Sequence, residues 1–147
     1  YESSDLTHVD GADYLRSLTD HLCSTYGVDH ELIDLSVQAE PMAMDVDTAI
    51  HSGLIVNELV SNSLKYGFPD GRKGRIDVRL TCDDGDALLE VHDDGVGMPA
   101  VGDERSGSLG LQLVEDLTRQ LEGSLHKDDG AGAHFRVRFP LPEVEAR

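Results

Sequence analysis

The chain has 147 residues, 39% hydrophobic and 5% aromatic with no tryptophan, and its 12 lysines and arginines against 29 acids give a net charge of −17. That supplies one compact core burying roughly 70% of the unfolded surface, and it excludes two large domains. No run approaches the ~20 apolar residues of a membrane span, and the acidic excess disfavours non-specific binding to nucleic acid or anionic membrane.

Aspartate (19) outnumbers glutamate (10), and lysine (3) is scarcer than arginine (9), a surface that suits a high-salt cytoplasm where screening mutes self-repulsion. Cys23 and Cys82 lie far apart with no CxxC, which points to reduced thiols in a cytoplasmic protein. The first residues carry neither a basic nor an apolar leader region, and the lack of an initiator methionine suggests a fragment.

Residues 1–9 are polar and read as a lead-in, the end of an upstream region or linker, with a single domain over 10–147. Tyr14, Leu15, Leu18, Leu22 and Tyr26 recur at helical spacing from residue 10 to 26, and Gly27 stops the helix. Residues 32–37 read as a strand closed by Pro41. Asp45 or Asp47 caps a second helix, over 47–66, that Gly67 to Gly71 break. Residues 75–80 alternate as a half-buried strand, and the turn 83–86 returns the chain as the hairpin partner 87–91. The glycine-rich stretch 94–108 reads as a mobile loop. Leu109, Leu113, Val114, Leu117 and Leu121 then line one face of a third helix, ended by Gly123. A second hairpin, 124–127 with 135–139, closes the chain. Antiparallel hairpins with helices between them predict an α+β fold, a two-layer sandwich with one mostly antiparallel, mixed sheet covered on one face by about three helices.

Three segments have the residue types for chemistry. Glu58, Asn62 and Lys65 fall at i, i+4 and i+7, one stripe of the second helix. The rest of that helix is apolar enough (Ile50, Leu54, Ile55, Leu59, Val60, Leu64) to be largely buried, where a polar stripe is costly unless a ligand satisfies it. A carboxylate, a carboxamide oxygen and an ammonium suit magnesium-bound polyphosphate; the plain alternative is a solvent face. Residues 91–99 end an apolar strand in Asp93-Asp94-Gly95-Val96-Gly97, either a tight turn or a floor on which backbone meets ligand. A dinucleotide fingerprint is disfavoured there, because Pro99 and a polar loop replace the helix and the preceding elements form a hairpin. Residues 106–111, small and directly before a helix, read either as an ordinary cap or as an anion site. Gly130-Ala131-Gly132-Ala133 alone reads as a hairpin turn. P-loop, EF-hand, zinc-helix and nucleophile-elbow patterns are absent.

In this order and spacing, the segments resemble the four nucleotide-binding boxes of sensor histidine kinases. Asn57-Glu58-Leu59-Val60-Ser61-Asn62-Ser63-Leu64-Lys65-Tyr66-Gly67-Phe68-Pro69 is similar to the N box, and Asp93-Asp94-Gly95-Val96-Gly97 to the D-x-G-x-G box. Ser108-Leu109-Gly110-Leu111-Gln112-Leu113-Val114 and Gly130-Ala131-Gly132 are similar to the two later glycine boxes. The resemblance covers residues 10–141 and implies the Bergerat fold, shared with gyrase, Hsp90 and MutL.

It further implies that the domain binds ATP with Mg²⁺ and passes the γ-phosphoryl group to a histidine. Asn62 and Glu58 would hold Mg²⁺, with Glu58 also the catalytic base. Lys65 would touch phosphate and Tyr66 line the pocket. Asp93 would accept the adenine amino group above a floor shaped by Gly95 and Gly97, and Gly132 of the last box would join the nucleotide site. Residues 98–108 would form the lid, and Ser108, Leu109, Gly110 and Leu111 would present backbone to the phosphates; Arg105, within the lid, reads either as moving towards the γ-phosphate on closure or as a solvated loop arginine. Serines stand where glycine is frequent at 106 and 108, and Ala133 where threonine is common. No histidine here begins a long dimerisation helix, which places the phosphoacceptor on an upstream dimerisation domain of a homodimeric full-length protein with a response regulator as its partner. The domain itself would contact neither membrane nor nucleic acid. An anti-sigma-type serine kinase and a non-catalytic nucleotide-binding module are the alternatives.

Overall fold

The computed structural model describes residues 8–96, 104–128 and 130–141, without the side chains of 104–109. The chain runs β1 (His8–Asp10), α1 (Gly11–Thr25), β2 (Ile33–Ala39), β3 (Ala43–Asp45) and α2 (Val46–Asn62). A π turn, Ser63–Gly67, and a 3₁₀ turn, Pro69–Gly71, lead into β4 (Gly74–Asp83) and β5 (Asp86–Asp93). Then come α3 (Glu104–Gln120), β6 (Ser124–Lys127) and β7 (His134–Pro140).

Five strands make one sheet in the order β2-β4-β5-β7-β6. β2 lies parallel to β4, and every other pair is antiparallel. The period-2 pattern of the hairpins decides the layers. Ile76, Val78 and Leu80 of β4, Ala87, Leu89 and Val91 of β5, and Phe135, Val137 and Phe139 of β7 are all buried in the core. Arg75, Asp77, Arg79, Glu90, His92, Arg136 and Arg138 alternate with them on the opposite face. Leu15 and Leu22 of α1, Ile55, Val56, Leu59 and Val60 of α2, and Val114, Leu117 and Leu121 of α3 fill the other half of the core. The predicted two-layer α+β sandwich is therefore the fold, with three helices on the mixed sheet.

Several boundaries differ from the sequence expectation. His8 and Val9, assigned to the lead-in, belong to β1, which pairs with β3 in a separate two-stranded ladder. The Asp10 carboxylate accepts from Ala12 N at the head of α1 and from Met42 N, so it fastens the entering chain to the segment before α2. Asp45, not Asp47, caps α2 by accepting from Thr48 N at 2.8 Å. That helix is less buried than its composition implies: Ile50 is 44% and Leu54 45% exposed, because they lie on its outer side, away from the sheet. α3 begins at Glu104, so it takes in the last part of the expected loop 94–108; residues 97–103 lie outside the described residues.

Candidate functional site

Asp93 ends β5, opposite Ile76 of β4, and its carboxylate is only 1% exposed. A carboxylate there must be hydrogen-bonded to be tolerated. Oδ1 accepts from Gly95 N at 3.0 Å and Ala133 N at 3.1 Å, and Oδ2 accepts from the Ser63 hydroxyl at 2.5 Å. No cation pairs with it among the described residues. Three neutral donors from three elements thus hold the charge where a ligand can share it.

Backbone closes in around that carboxyl because the neighbours lack side chains. A Cβ on Gly95 would sit 2.3 Å from Gly67 O, and one on Gly132 (φ +79°) 2.1 Å from Asp93 O. Both positions need glycine on packing grounds alone. Gly67 borders the carboxyl itself, its ideal Cβ position lying in ordinary van der Waals contact, 3.7 Å, from Asp93 Oδ2, so no side chain from that position covers the acceptor. Asp94, its neighbour in sequence, is exposed and structural: its Oδ1 accepts from Arg75 N at 2.7 Å, which pins the start of β4.

The polar stripe of α2 reaches the same place. Glu58 is half-buried and Asn62 is 6% exposed. Both meet the first half of α3: a Cβ on Gly110 would lie 2.9 Å from Glu58 Oε2 and 3.5 Å from Asn62 Nδ2. The Asn62 amide nitrogen is buried with no hydrogen-bond partner among the described residues, an arrangement that costs about 1–3 kcal/mol unless a ligand completes it. Ser63, next in the chain, carries the link to Asp93. Glu58 and Asn62 therefore face α3 and not bulk solvent. Lys65 departs from the stripe: the helix widens into the π turn directly after Asn62, and Lys65 is exposed with no ion pair among the described residues. Tyr66 is half-buried in the same turn.

The expectation for residues 108–111 changes. Free N–H groups belong to the first turn of a helix, which here is residues 104–107, so Ser108, Leu109, Gly110 and Leu111 lie inside α3. Gly110 contributes closeness to Glu58 and Asn62, and Leu111 packs against the core. Gly97 and the side chains of Arg105, Ser108 and Leu109 lie outside the described residues. Among the described residues no cluster of three or more His, Cys, Asp or Glu side chains could hold a metal. A cation at Glu58 and Asn62 would therefore need oxygens from its ligand, as Mg²⁺ commonly does with phosphates.

The sequence reading missed two groups, Ser63 and the Ala133 N–H. The signal for Ser63 was present: a hydroxyl on a helix otherwise flanked by Leu59, Val60 and Leu64. Nothing local signalled Ala133, whose N–H replaces any side-chain contact from that position.

The comparisons with known proteins bear on the fold and the family. Residues 48–143 match the family described as histidine kinase-, DNA gyrase B- and HSP90-like ATPases. The chain is similar to Blue-light-activated histidine kinase 2 of Erythrobacter litoralis, 32% identical over 114 residues, covering 76% of this chain and 33% of that protein. It is 36% identical over 103 residues to the sensor histidine kinase PdtaS of Mycobacterium tuberculosis, covering 67% of this chain and 21% of that protein. The chain thus spans about a third and a fifth of the lengths of these curated relatives. The solved histidine kinase domain of the E. litoralis EL346 blue-light-activated kinase superposes with a TM-score of 0.80 at 29% identity, covering 90% of this chain and 62% of that one.

Proposed function

The chain belongs to the family of histidine kinase-, DNA gyrase B- and HSP90-like ATPases and is an ATP-binding catalytic domain of the sensor histidine kinase type, and from that premise we propose that it passes the γ-phosphoryl group of Mg·ATP to a histidine. That histidine is carried by a dimerisation domain upstream of residue 10, and the phosphoryl group goes on to a response regulator. The full-length protein acts as a homodimer, and this domain works in the cytoplasm without touching membrane or nucleic acid.

The observation that carries the reading is the buried, unpartnered amide of Asn62 beside Glu58, joined through Ser63 to a buried aspartate. Asp93 Oδ2 accepts the adenine amino group, with Gly95, Gly97 and Gly132 as the floor and Tyr66 as a wall. Asn62 Oδ1 and a Glu58 oxygen are hard oxygen donors, so they fit Mg²⁺, and Asn62 Nδ2 donates to a phosphate oxygen. Bound there, Mg²⁺ supplies charge neutralisation for the β- and γ-phosphates. Lys65 and Arg105 add positive charge near the phosphates, and residues 108–111 of α3 lie along them. Glu58 takes the proton from the acceptor histidine. Phosphoryl transfer is mostly positioning and charge stabilisation, and these short-range contacts outweigh the net −17, whose field is screened within about 8 Å at physiological salt.

Calorimetry tests the metal role. ATP should bind the chain tightly with magnesium and weakly with EDTA, and Asn62→Ala should erase the difference; an unchanged difference refutes it. With γ-labelled ATP the isolated chain should stay unlabelled, whereas the full-length protein should gain an acid-labile phosphohistidine. Stoichiometric labelling of the isolated chain contradicts the proposal.

A further inference from the structure

The buried hydroxyls of the three helices divide into two kinds. Thr19 donates to Leu15 O and Arg16 O, Ser52 to Ala49 O, Ser61 to Asn57 O and Glu58 O, and Thr118 to Val114 O. Each is satisfied by its own helix one turn back, the usual recourse of a helical serine or threonine. Ser63 could do the same, since it is helical (φ −59°, ψ −44°) and follows directly on α2. It instead reaches a carboxylate 30 residues away.

From this contrast we propose that Ser63 is a positioning residue that sets the base selectivity of the nucleotide site through Asp93. The inference rests on the reading of Asp93 as the acceptor of the adenine amino group. An ionised carboxylate offers about four acceptor positions. Two on Oδ1 are taken by Gly95 N and Ala133 N, and one on Oδ2 by Ser63. The fourth, on Oδ2, is left for a ligand donor, beside Gly67, which brings no side chain over the carboxyl. With Oδ1 tethered twice, the carboxylate can pivot about that oxygen, and the Ser63 hydroxyl is the only hold on Oδ2 among the described residues. Because that hydroxyl commits its hydrogen to Oδ2, its own oxygen can only accept. A ring bearing a 6-amino group then meets acceptors, whereas a 6-oxo ring meets repulsion from both.

The test is a ligand-and-residue cycle by calorimetry, using Mg·ATP and the triphosphate of purine riboside, which has hydrogen in place of the 6-amino group. Wild type should prefer ATP. Ser63→Ala should lose about tenfold in ATP affinity, the scale of one hydrogen bond to a charged group, and stay within about twofold for the purine analogue. Ser63→Cys, close in shape with a weak donor, should lose several-fold of the preference, and it decides the matter alone if Ser63→Ala does not fold. A merely structural serine would weaken both ligands equally, and that result overturns the inference. So does a variant that keeps the full preference for ATP. If wild type itself does not prefer ATP to the purine analogue, it is the assignment of Asp93 that fails.

Discussion

Two polar regions of this domain lie on opposite sides of the same sheet and solve opposite problems. On the open face, Arg138 pairs with Asp83 and Asp86, Arg136 with Asp128, and Arg75 with Asp77, while His134 lies between Glu90 and Asp128 and its ring packs 4.7 Å from that of His92. The Arg136 guanidinium holds the Asp128 carboxyl below the usual carboxylate range, and the Asp86 and Asp83 carboxylates raise Arg138. These groups pair largely with one another; Arg136 Nε alone among them is buried with no hydrogen-bond partner among the described residues, while its terminal nitrogen pairs with Asp128. Beneath the helices, among the described residues, Asp93 is buried with neutral donors alone and Asn62 keeps an unpartnered amide. Charge density is thus a poor guide to the site in this acidic chain; a buried carboxylate held by neutral donors alone, one of them from the residue that follows an unpartnered buried amide, is the better one.

The contrast can be broken most severely at Asp93. Asp93→Asn keeps an oxygen for the Gly95 and Ala133 N–H groups but puts an amide donor where Oδ2 accepts from Ser63 and would accept from adenine, and calorimetry should show ATP affinity down by about a hundredfold. Arg138→Ala, on the open face, should leave that affinity unchanged. Next comes Gly132→Ala, where a Cβ would lie 2.1 Å from Asp93 O at a φ of +79°. Urea unfolding should show a loss of about 2–3 kcal/mol, against a negligible change for Ala131→Gly in the exposed turn.

A smaller effect belongs to Asp45, whose carboxyl is held below its usual range by its hydrogen bonds to Thr48, with weaker help from His8 and His51. A depressed folded value stabilises above the unfolded carboxylate range and is lost as pH falls through the folded value. Asp45→Ala should therefore cost about 1 kcal/mol at neutral pH, and the gap from wild type should close in acid below about pH 3.9. The smallest change is expected from Arg138→Ala itself: a slight fall in the urea midpoint in dilute buffer and nothing measurable in molar KCl, since exposed ion pairs are screened.

Periodic features were legible in the sequence and paired ones were not. The alternation in β4 and β7 and the leucine face of α3 predicted the layers, because burial imposes a period on each element. The Glu58 and Asn62 stripe was legible because two polar residues on an apolar helix break that period. β1 and β3, three residues each, are too short to carry one. The start of α3 was hidden because Ser106, Gly107 and Ser108 favour a cap or loop locally, and their helical state is not in their own propensity. The π turn after Asn62, which takes Lys65 off the stripe, is a tertiary outcome at the point where the chain passes Asp93. Ser63 acquires its role only when β5 arrives 30 residues later.

The most direct measurement is the melting temperature of the wild-type chain with magnesium and saturating ATP or GTP. Ligand at a hundred times its Kd stabilises by about 2.7 kcal/mol, so ATP should raise the melting temperature by roughly 5–10 °C for a domain of this size, and GTP should leave it near that of the free chain. An equal rise with GTP, or none with ATP, would contradict an adenine site at Asp93.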